Sequence, residues 1–338
     1  MNTEIVVVDP SNPNPRAIDR AVEFLRAGRL VAFPTETVYG LGASALDPAA
    51  VTRIFEAKGR PASNPVIVHI PDPSVVANVA ADWPAAAARL ADRFWPGPLT
   101  IVIPKNPAVP DEVTAGGPTV AVRCPNHSVA LALLWAAGVP LAAPSANRST
   151  EISPTRAEHV MKSLGGRIDI ILDGGPCPGG IESTVVDVTG PVVRVLRPGL
   201  ITVPMLEKVV GPVEAASGEE KVARSPGQME KHYSPRTKLR LTDSNDLLED
   251  TCIAHGTGGL KVGSISFTRK DASLKEVTGR SGRHISLPSD PIRAAALLYE
   301  ALHRLDQSGL DLLLVERPPE TPEWDGIRDR LTRAAARS

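Results

Sequence analysis

The sequence is poor in most features that announce a specialised class of protein. It holds three cysteines in 338 residues, Cys124, Cys177 and Cys252, with no C-x-x-C pair. An odd, scattered set argues against a disulfide framework and offers no zinc-ligand spacing. Aromatic residues make up only 4% of the chain, so stacking platforms for bases are scarce. Neither sign of charge dominates: 37 Lys and Arg stand against 38 Asp and Glu, a formal net charge of −1. A protein that coats nucleic acid through bulk positive charge is therefore not expected, although a local basic pocket remains compatible with that balance. The longest near-apolar run, Val129 to Pro144, is broken by Gly138 and Pro140. A membrane span needs about 20 apolar residues, so this run reads as a core helix followed by a strand. The opening MNTEIVVVDPSNPNPR has no basic segment leading into an apolar one, so no secretory leader is expected. A cytosolic, reducing compartment fits best.

The familiar nucleotide and hydrolase signatures are missing too. There is no G-x-x-x-x-G-K-[ST], no H-E-x-x-H and no G-x-S-x-G, which argues against a P-loop protein, a zincin and an α/β-hydrolase. Gly256-Thr257-Gly258 opens like a dinucleotide fingerprint, but Lys261 stands where the third glycine belongs, and a turn is the simpler reading.

Proline is abundant: 33 residues of 338, near twice the usual ~5%. Proline fixes turns and is excluded from helix interiors, so many short elements joined by stiff loops are expected. A 42% hydrophobic and 22% charged composition is that of a globular chain, and the length suggests two domains. The first two hundred residues alternate β-branched runs with helical patterns. Strands are predicted at Leu30–Phe33, Val66–Ile70, Thr100–Ile103, Thr119–Arg123, Leu141–Ala143, Ile170–Leu172, Ser183–Thr189 and Val192–Leu196. The last two meet at Gly190-Pro191 as a hairpin, so the sheet is mixed. A helix is predicted over Pro48–Lys58, with Asp47 as N-cap and Gly59 as stop. From Val203 to Pro235 periodicity weakens and Gly, Pro, Ser and charges accumulate, the composition of a linker. Strands at Thr237–Leu241, Cys252–His255, Val262–Phe267 and Leu312–Val315, with a helix over Pro291–Leu305, then indicate a second, smaller α/β domain. The divisions are 1–202, 203–235 and 236–338.

Polar clusters fall just past the predicted strand ends, where open α/β sheets bind ligands. Pro34-Thr35-Glu36-Thr37-Val38-Tyr39-Gly40-Leu41-Gly42 offers hydroxyls and glycines, which suit a small zwitterion or an ordinary turn. Lys58-Gly59-Arg60, with Asn64 beyond, places two cations at a helix C-terminus. They either complement the helix dipole or leave the helix toward a polyphosphate. His69 lies inside a strand, where a satisfied core histidine is the plain alternative. Arg123 ends a strand as a candidate carboxylate partner. Pro144-Ser145-Ala146-Asn147 with Ser153, then Gly179-Gly180-Ile181-Glu182-Ser183-Thr184 with Arg194 and Arg197, complete the series.

These segments in this order carry a resemblance. FPTETVYGLG (33–42), AKGRPASNPVIVHI (57–70), TVAVRCP (119–125), APSAN (143–147), DGGPCPGGIESTVVD (173–187) and SPGQMEKHYSP (225–235) resemble the threonylcarbamoyl-AMP synthase family, the YrdC-like proteins, in its long two-domain form. The likeness covers residues 15–200 well and weakens in the C-terminal domain. It implies a twisted mixed sheet with helices around a concave basic pocket, followed by a smaller Rossmann-like α/β domain. It also implies a nucleotidyltransferase that joins L-threonine, bicarbonate and ATP into threonylcarbamoyl-AMP, pyrophosphate and water, the first step of N6-threonylcarbamoyladenosine formation on tRNA.

By that resemblance Lys58, Arg60, Ser145 and Asn147 are the catalytic set and contact the phosphates. Asn64, Thr119, Ser153, Arg197 and Tyr233 match further ATP positions. Thr35, Thr37, His69, Arg123, Ala143 and Ser183 match positions near threonine. His232 and Tyr233 belong to a lid formed by the linker. Mg2+ is expected to arrive on the ATP phosphates rather than on protein side chains, bicarbonate is a co-substrate, and no tightly bound cofactor is expected. A downstream tRNA threonylcarbamoyl transferase complex is the implied partner, and no membrane is. One departure stands out: family linkers commonly read like SPGMKYRHYAP, whereas Gln228, Met229 and Glu230 occupy the Met, Lys and aromatic positions here. The competing readings are a double-stranded RNA or tRNA binder, disfavoured by the neutral charge and scarce aromatics, and a carbamoyltransferase, which normally sits in a longer chain.

Overall fold

The computed structural model describes residues 2–215, 233–244, 259–271, 273–279 and 282–336. The expected strand Cys252–His255, the Gly256–Gly258 turn and the linker residues Gln228, Met229, Glu230 and His232 lie outside the described residues. The chain forms two compact units. One holds residues up to Ser149, Ser153–Pro178 and the described chain from Glu182 to Ala215; the other holds Thr150–Ile152, Gly179–Ile181 and the described residues from Tyr233 onward.

The first unit is built on a large mixed sheet. Its strands are β1 (Glu4–Val7), β2 (Val31–Phe33), β3 (Gly40–Ser44), β4 (Ile67–His69), β5 (Leu99–Pro104) and β6 (Thr119–Arg123), then β7 (Leu141–Ala142), β8 (Ile170–Asp173), β9 (Thr184–Asp187), β10 (Val193–Arg197) and β11 (Val213–Ala215). Their order is β1-β8-β2-β3-β7-β4-β6-β5-β9-β10-β11. β4 runs parallel to β6, β5 runs antiparallel to β6, and β9 and β10 form the expected antiparallel pair. Helices Pro15–Arg26 and Ser128–Ala137 pack on one apolar cluster with Phe33 and Leu172. Val51, Ile54 and Phe55, from the helix Pro48–Lys58, pack on another.

Local sequence explains the best-defined elements. The helix Pro48–Lys58 starts where the Asp47 carboxylate accepts from the amides of Ala49 and Ala50, and it stops at Gly59, φ 59°, a left-handed conformation that glycine adopts at little cost. Gly40 and Gly42 belong to a strand rather than to a loop. β3 pairs antiparallel with β2, Phe33 opposite Gly40 and Val31 opposite Gly42. A β-carbon on Gly42 would lie 2.7 Å from the Phe33 ring, so the missing side chain is what admits that aromatic.

Where linker composition begins, the structure differs from the expectation. Val203–Val210 is a helix with a proline in its first turn and Leu206 fully buried, and β11 continues the sheet beside β10. The Gly- and Pro-rich stretch that follows dominates the local composition and hides this short amphipathic turn.

The second unit carries a five-stranded sheet among the described residues: β12 (Lys238–Thr242), β13 (Val262–Arg269), β14 (Lys275–Gly279), β15 (Gly282–Pro288) and β16 (Leu312–Glu316), in the order β12-β16-β13-β15-β14. All pairs are parallel except β14 with β15. The helix Pro291–Asp306 is capped by Asp290, whose side chain accepts from the Arg293 amide. Gly180 belongs to this unit and has φ 72°; a β-carbon there would lie 2.1 Å from the Ala295 carbonyl oxygen. Among the described residues no helix is long and apolar enough to cross a membrane.

Candidate functional site

The C-terminal ends of β2, β4 and β6 bring a polar group together in the first unit. His69 and Arg123 are register partners on the adjacent parallel strands β4 and β6, so their side chains leave the same face side by side. The segment after β2 turns back over them. The Arg123 Nη2 donates to Thr37 Oγ1 at 2.9 Å and pairs with Glu36 Oε1 at 2.8 Å. Thr35 Oγ1 donates to the Val38 carbonyl at 2.7 Å and lies 2.9 Å from Thr37 Oγ1. Since the single Thr35 proton serves that carbonyl, Thr37 is the donor to Thr35. The result is one directed chain, Arg123 to Thr37 to Thr35 to backbone.

Burial sets the electrostatics. Arg123 is 4% exposed and Glu36 8%, a depth at which a lone charge would be very costly. The His69 imidazole is pushed down to about 3, first by burial and second by the Arg123 charge, so it is neutral at pH 7. The Cys124 thiol is pushed up to about 12, mainly by burial. The Cys177 thiol is raised still further by burial, against a hydrogen bond to the Thr35 backbone, and both thiols stay protonated. Four polar atoms of this group are buried without a hydrogen-bond partner: His69 Nδ1, Arg123 Nε and both oxygens of Glu36, of which Oε1 is met only by the ion pair with Arg123. Buried polar atoms are nearly always satisfied, so this concentration marks a place where a ligand belongs.

A second group lies on the loops that face this one. The turn from Pro34 and the Pro144–Asn147 loop are stitched together: Leu41 N donates to Pro144 O at 2.7 Å, Ala146 N to Tyr39 O at 2.8 Å, and Gly40 bridges Ser145. Tyr39 N also donates to Pro154 O at 2.8 Å, next to the fully buried Ser153. Lys58 and Arg60 reach main-chain carbonyls. Lys58 Nζ donates to Ser145 O at 2.6 Å and to Asn147 O. Arg60 donates to Asn64 O at 3.2 Å and Pro65 O at 2.9 Å. Both cations are buried. Ala143, at the end of β7, is buried and its amide donates to Ile67 O at 2.9 Å.

The remaining sequence candidates sit in three places. Ser183 precedes β9, its Oγ 2.7 Å from Thr100 Oγ1 and accepting from Arg197 Nη2 at 3.1 Å, so Ser183 and Arg197 act as one unit. Thr119 begins β6, opposite Pro104, at the other end of the strand from Arg123. Tyr233 belongs to the second unit, buried, with its ring 6.1 Å from Tyr299 and 5.1 Å below the Arg330 guanidinium. Sequence reasoning left out Glu36, Thr100 and Cys177 as site components. Glu36 stood inside a quoted motif, but nothing in its local pattern signals that it is buried against a residue 87 positions away. The spacing of Arg123 at a strand end was the usable hint.

Taken on its own geometry, the first unit defines an α/β ligand-binding protein. One end of its site combines hydroxyls, a neutral imidazole and a guanidinium–carboxylate pair; the other combines buried cations with a hydroxyl- and amide-bearing loop. Residues 23–199 match the Sua5–YciO–YrdC family, described as Telomere recombination, and residues 201–336 match the threonylcarbamoyl-AMP synthase C-terminal domain. The threonylcarbamoyl-AMP synthase of Bacillus subtilis is 42% identical over 97% of this chain and 96% of its own length. That of Pyrococcus abyssi is 41% identical over 93% of both. The solved structure of P. abyssi Sua5 complexed with L-threonine superposes with a TM-score of 0.91 at 39% identity, covering 98% of both chains. Escherichia coli YciO superposes with a TM-score of 0.54 at 27% identity, covering 59% of this chain and 96% of its own. The chain belongs to the threonylcarbamoyl-AMP synthase family.

Proposed function

We propose that this protein makes threonylcarbamoyl-AMP from L-threonine, bicarbonate and ATP. The threonine amine takes up CO2 derived from bicarbonate, releasing water, and becomes a carbamate. A carbamate oxygen then attacks the α-phosphorus of ATP, a P–O bond to the β-phosphate breaks, and pyrophosphate leaves. Such a reaction needs placement and charge neutralisation more than a covalent nucleophile.

The observation that carries this reading is the junction of the two residue groups: the turn Pro34–Gly42 is hydrogen-bonded along the Pro144–Asn147 loop. Thr35, Thr37, His69, Arg123, Ala143 and Ser183 form the amino-acid end. Lys58, Arg60, Asn64, Thr119, Ser145, Asn147, Ser153 and Arg197 form the nucleotide end, with Mg2+ carried by the triphosphate. The threonine-bound relative supports the first assignment. The product is a mixed anhydride that water destroys, so a closing segment has a physical purpose. We assign that role to the stretch between the two units, with His232 and Tyr233, and expect the product to pass to a transferase acting on tRNA.

The test is pyrophosphate release from ATP and magnesium, with L-threonine and bicarbonate titrated separately. Dependence on both is expected. A folded protein that releases none, or releases it equally without threonine, contradicts the proposal.

A further inference from the structure

Glu36 is the most unusual carboxylate in the first unit. It sits between Thr35 and Thr37 at 8% exposure, and both of its oxygens are buried without a hydrogen bond, Oε1 lying 2.8 Å from Arg123 Nη2 as an ion pair. An ionised carboxylate has about four acceptor positions, and leaving a buried one unmet is costly. Among the described residues the cation paired with Glu36 is Arg123. Arg123 already serves Glu36 Oε1 and Thr37 Oγ1. Besides Arg123, the Glu36 charge acts on Cys124, Cys177 and His127. The two thiols are protonated, and His127 is lowered by burial and so neutral at pH 7. His69, beside Arg123, is neutral as well. The site thus holds an acceptor short of a donor at Glu36 Oε2, and a donor short of an acceptor at Arg123 Nε. A zwitterion answers both lacks at once: an ammonium for the carboxylate, an oxygen for the guanidinium.

We propose that Glu36 binds the ammonium group of the amino-acid substrate through Oε2, fixing the nitrogen that is to be carboxylated. The inference rests on the reading of this end of the site as the threonine end, and it goes further by naming the residue that distinguishes an α-amino acid from its hydroxy analogue. Glu36 is then a binding residue in direct contact with substrate and not only a prop for Arg123.

Titration calorimetry on the full chain with L-threonine and with 2,3-dihydroxybutyrate, in which a hydroxyl replaces the ammonium, separates these roles. Wild type should bind threonine at least tenfold more tightly. Glu36→Gln should weaken threonine at least tenfold and the hydroxy acid less than threefold, erasing the preference. Glu36→Asp, which keeps the charge, should keep the preference at lower affinity. Equal weakening of both ligands by Glu36→Gln would reduce Glu36 to a prop, and unchanged threonine affinity would remove it from the site; either overturns the proposal. Should Glu36→Gln fail to fold, wild-type parity between the two ligands overturns it alone. If wild type binds neither ligand, the threonine reading itself falls, an outcome distinct from the others.

Discussion

At Arg123 a guanidinium meets side chains, whereas at Lys58 and Arg60 the cations meet main-chain carbonyls. The first arrangement joins Arg123, Thr37 and Thr35 into a directed chain, pairs Arg123 with Glu36, and leaves four buried polar atoms without a hydrogen bond. The second uses Lys58 to hold Ser145 O and Asn147 O, and Arg60 to hold Asn64 O and Pro65 O. The proposed amino-acid end therefore holds buried polar atoms without a hydrogen bond. At the proposed phosphate end the cations brace the loops that carry Ser145, Asn147 and Asn64. The comparison teaches that one charge can serve architecture and chemistry together, and that substitutions at the two ends should fail in different ways.

The largest effects should come from the phosphate end. Lys58→Ala and Arg60→Ala are each expected to lower kcat/KM at least tenfold, about 1.4 kcal/mol or more of transition-state stabilisation. Both should lower the melting temperature too, because the freed carbonyls are buried. Steady-state kinetics beside thermal melts check this; near-normal kinetics in both variants would remove the phosphate role and leave only the brace.

Next is Arg123→Ala, which strands Glu36 as a buried charge and should cost about 3–5 kcal/mol of stability, the range for breaking a buried pair. Denaturant melts measure it. A loss below 1 kcal/mol, on the scale of a surface pair, would mean that the two residues are not coupled as described.

Ser183→Ala should raise the KM for threonine severalfold, since its hydroxyl sits between Thr100 and Arg197. A change confined to ATP would move Ser183 and Arg197 together to the nucleotide side.

A further effect is a pH dependence. His69 is held neutral in the folded state, with its value pushed down to about 3 from the ordinary 6.5. Between those values the unfolded chain binds the extra proton, so stability is complete above about 6.5 and falls as pH drops toward 3, by at most about 1.4 kcal/mol per pH unit. His69→Gln should flatten this part of the profile. An unchanged slope between pH 6.5 and 5 would place a titrating imidazole elsewhere.

Much of this was legible in the sequence, and the parts that were not share a cause. The helix Pro48–Lys58 announced itself through Asp47, Pro48 and Gly59, and β6 through Thr119–Arg123, because capping and β-branched runs are local signals. β3 was hidden, since Gly40 and Gly42 read as a turn until Phe33 is known to lie across them. Of the site, Arg123 and His69 were visible as polar residues in or at the end of strands. Their adjacency across β4 and β6 was not, because it depends on a register between segments some fifty residues apart. Glu36 could not be singled out for the same reason. Its significance lies in being buried against Arg123, and burial by a distant strand leaves no local trace.

The proposed amino-acid end should be formed before nucleotide arrives. Titrating L-threonine into the nucleotide-free chain by calorimetry tests it most directly. Saturable binding at one site per chain is expected, lost in Arg123→Ala molecules that remain folded. Binding that begins only once ATP is added would contradict it.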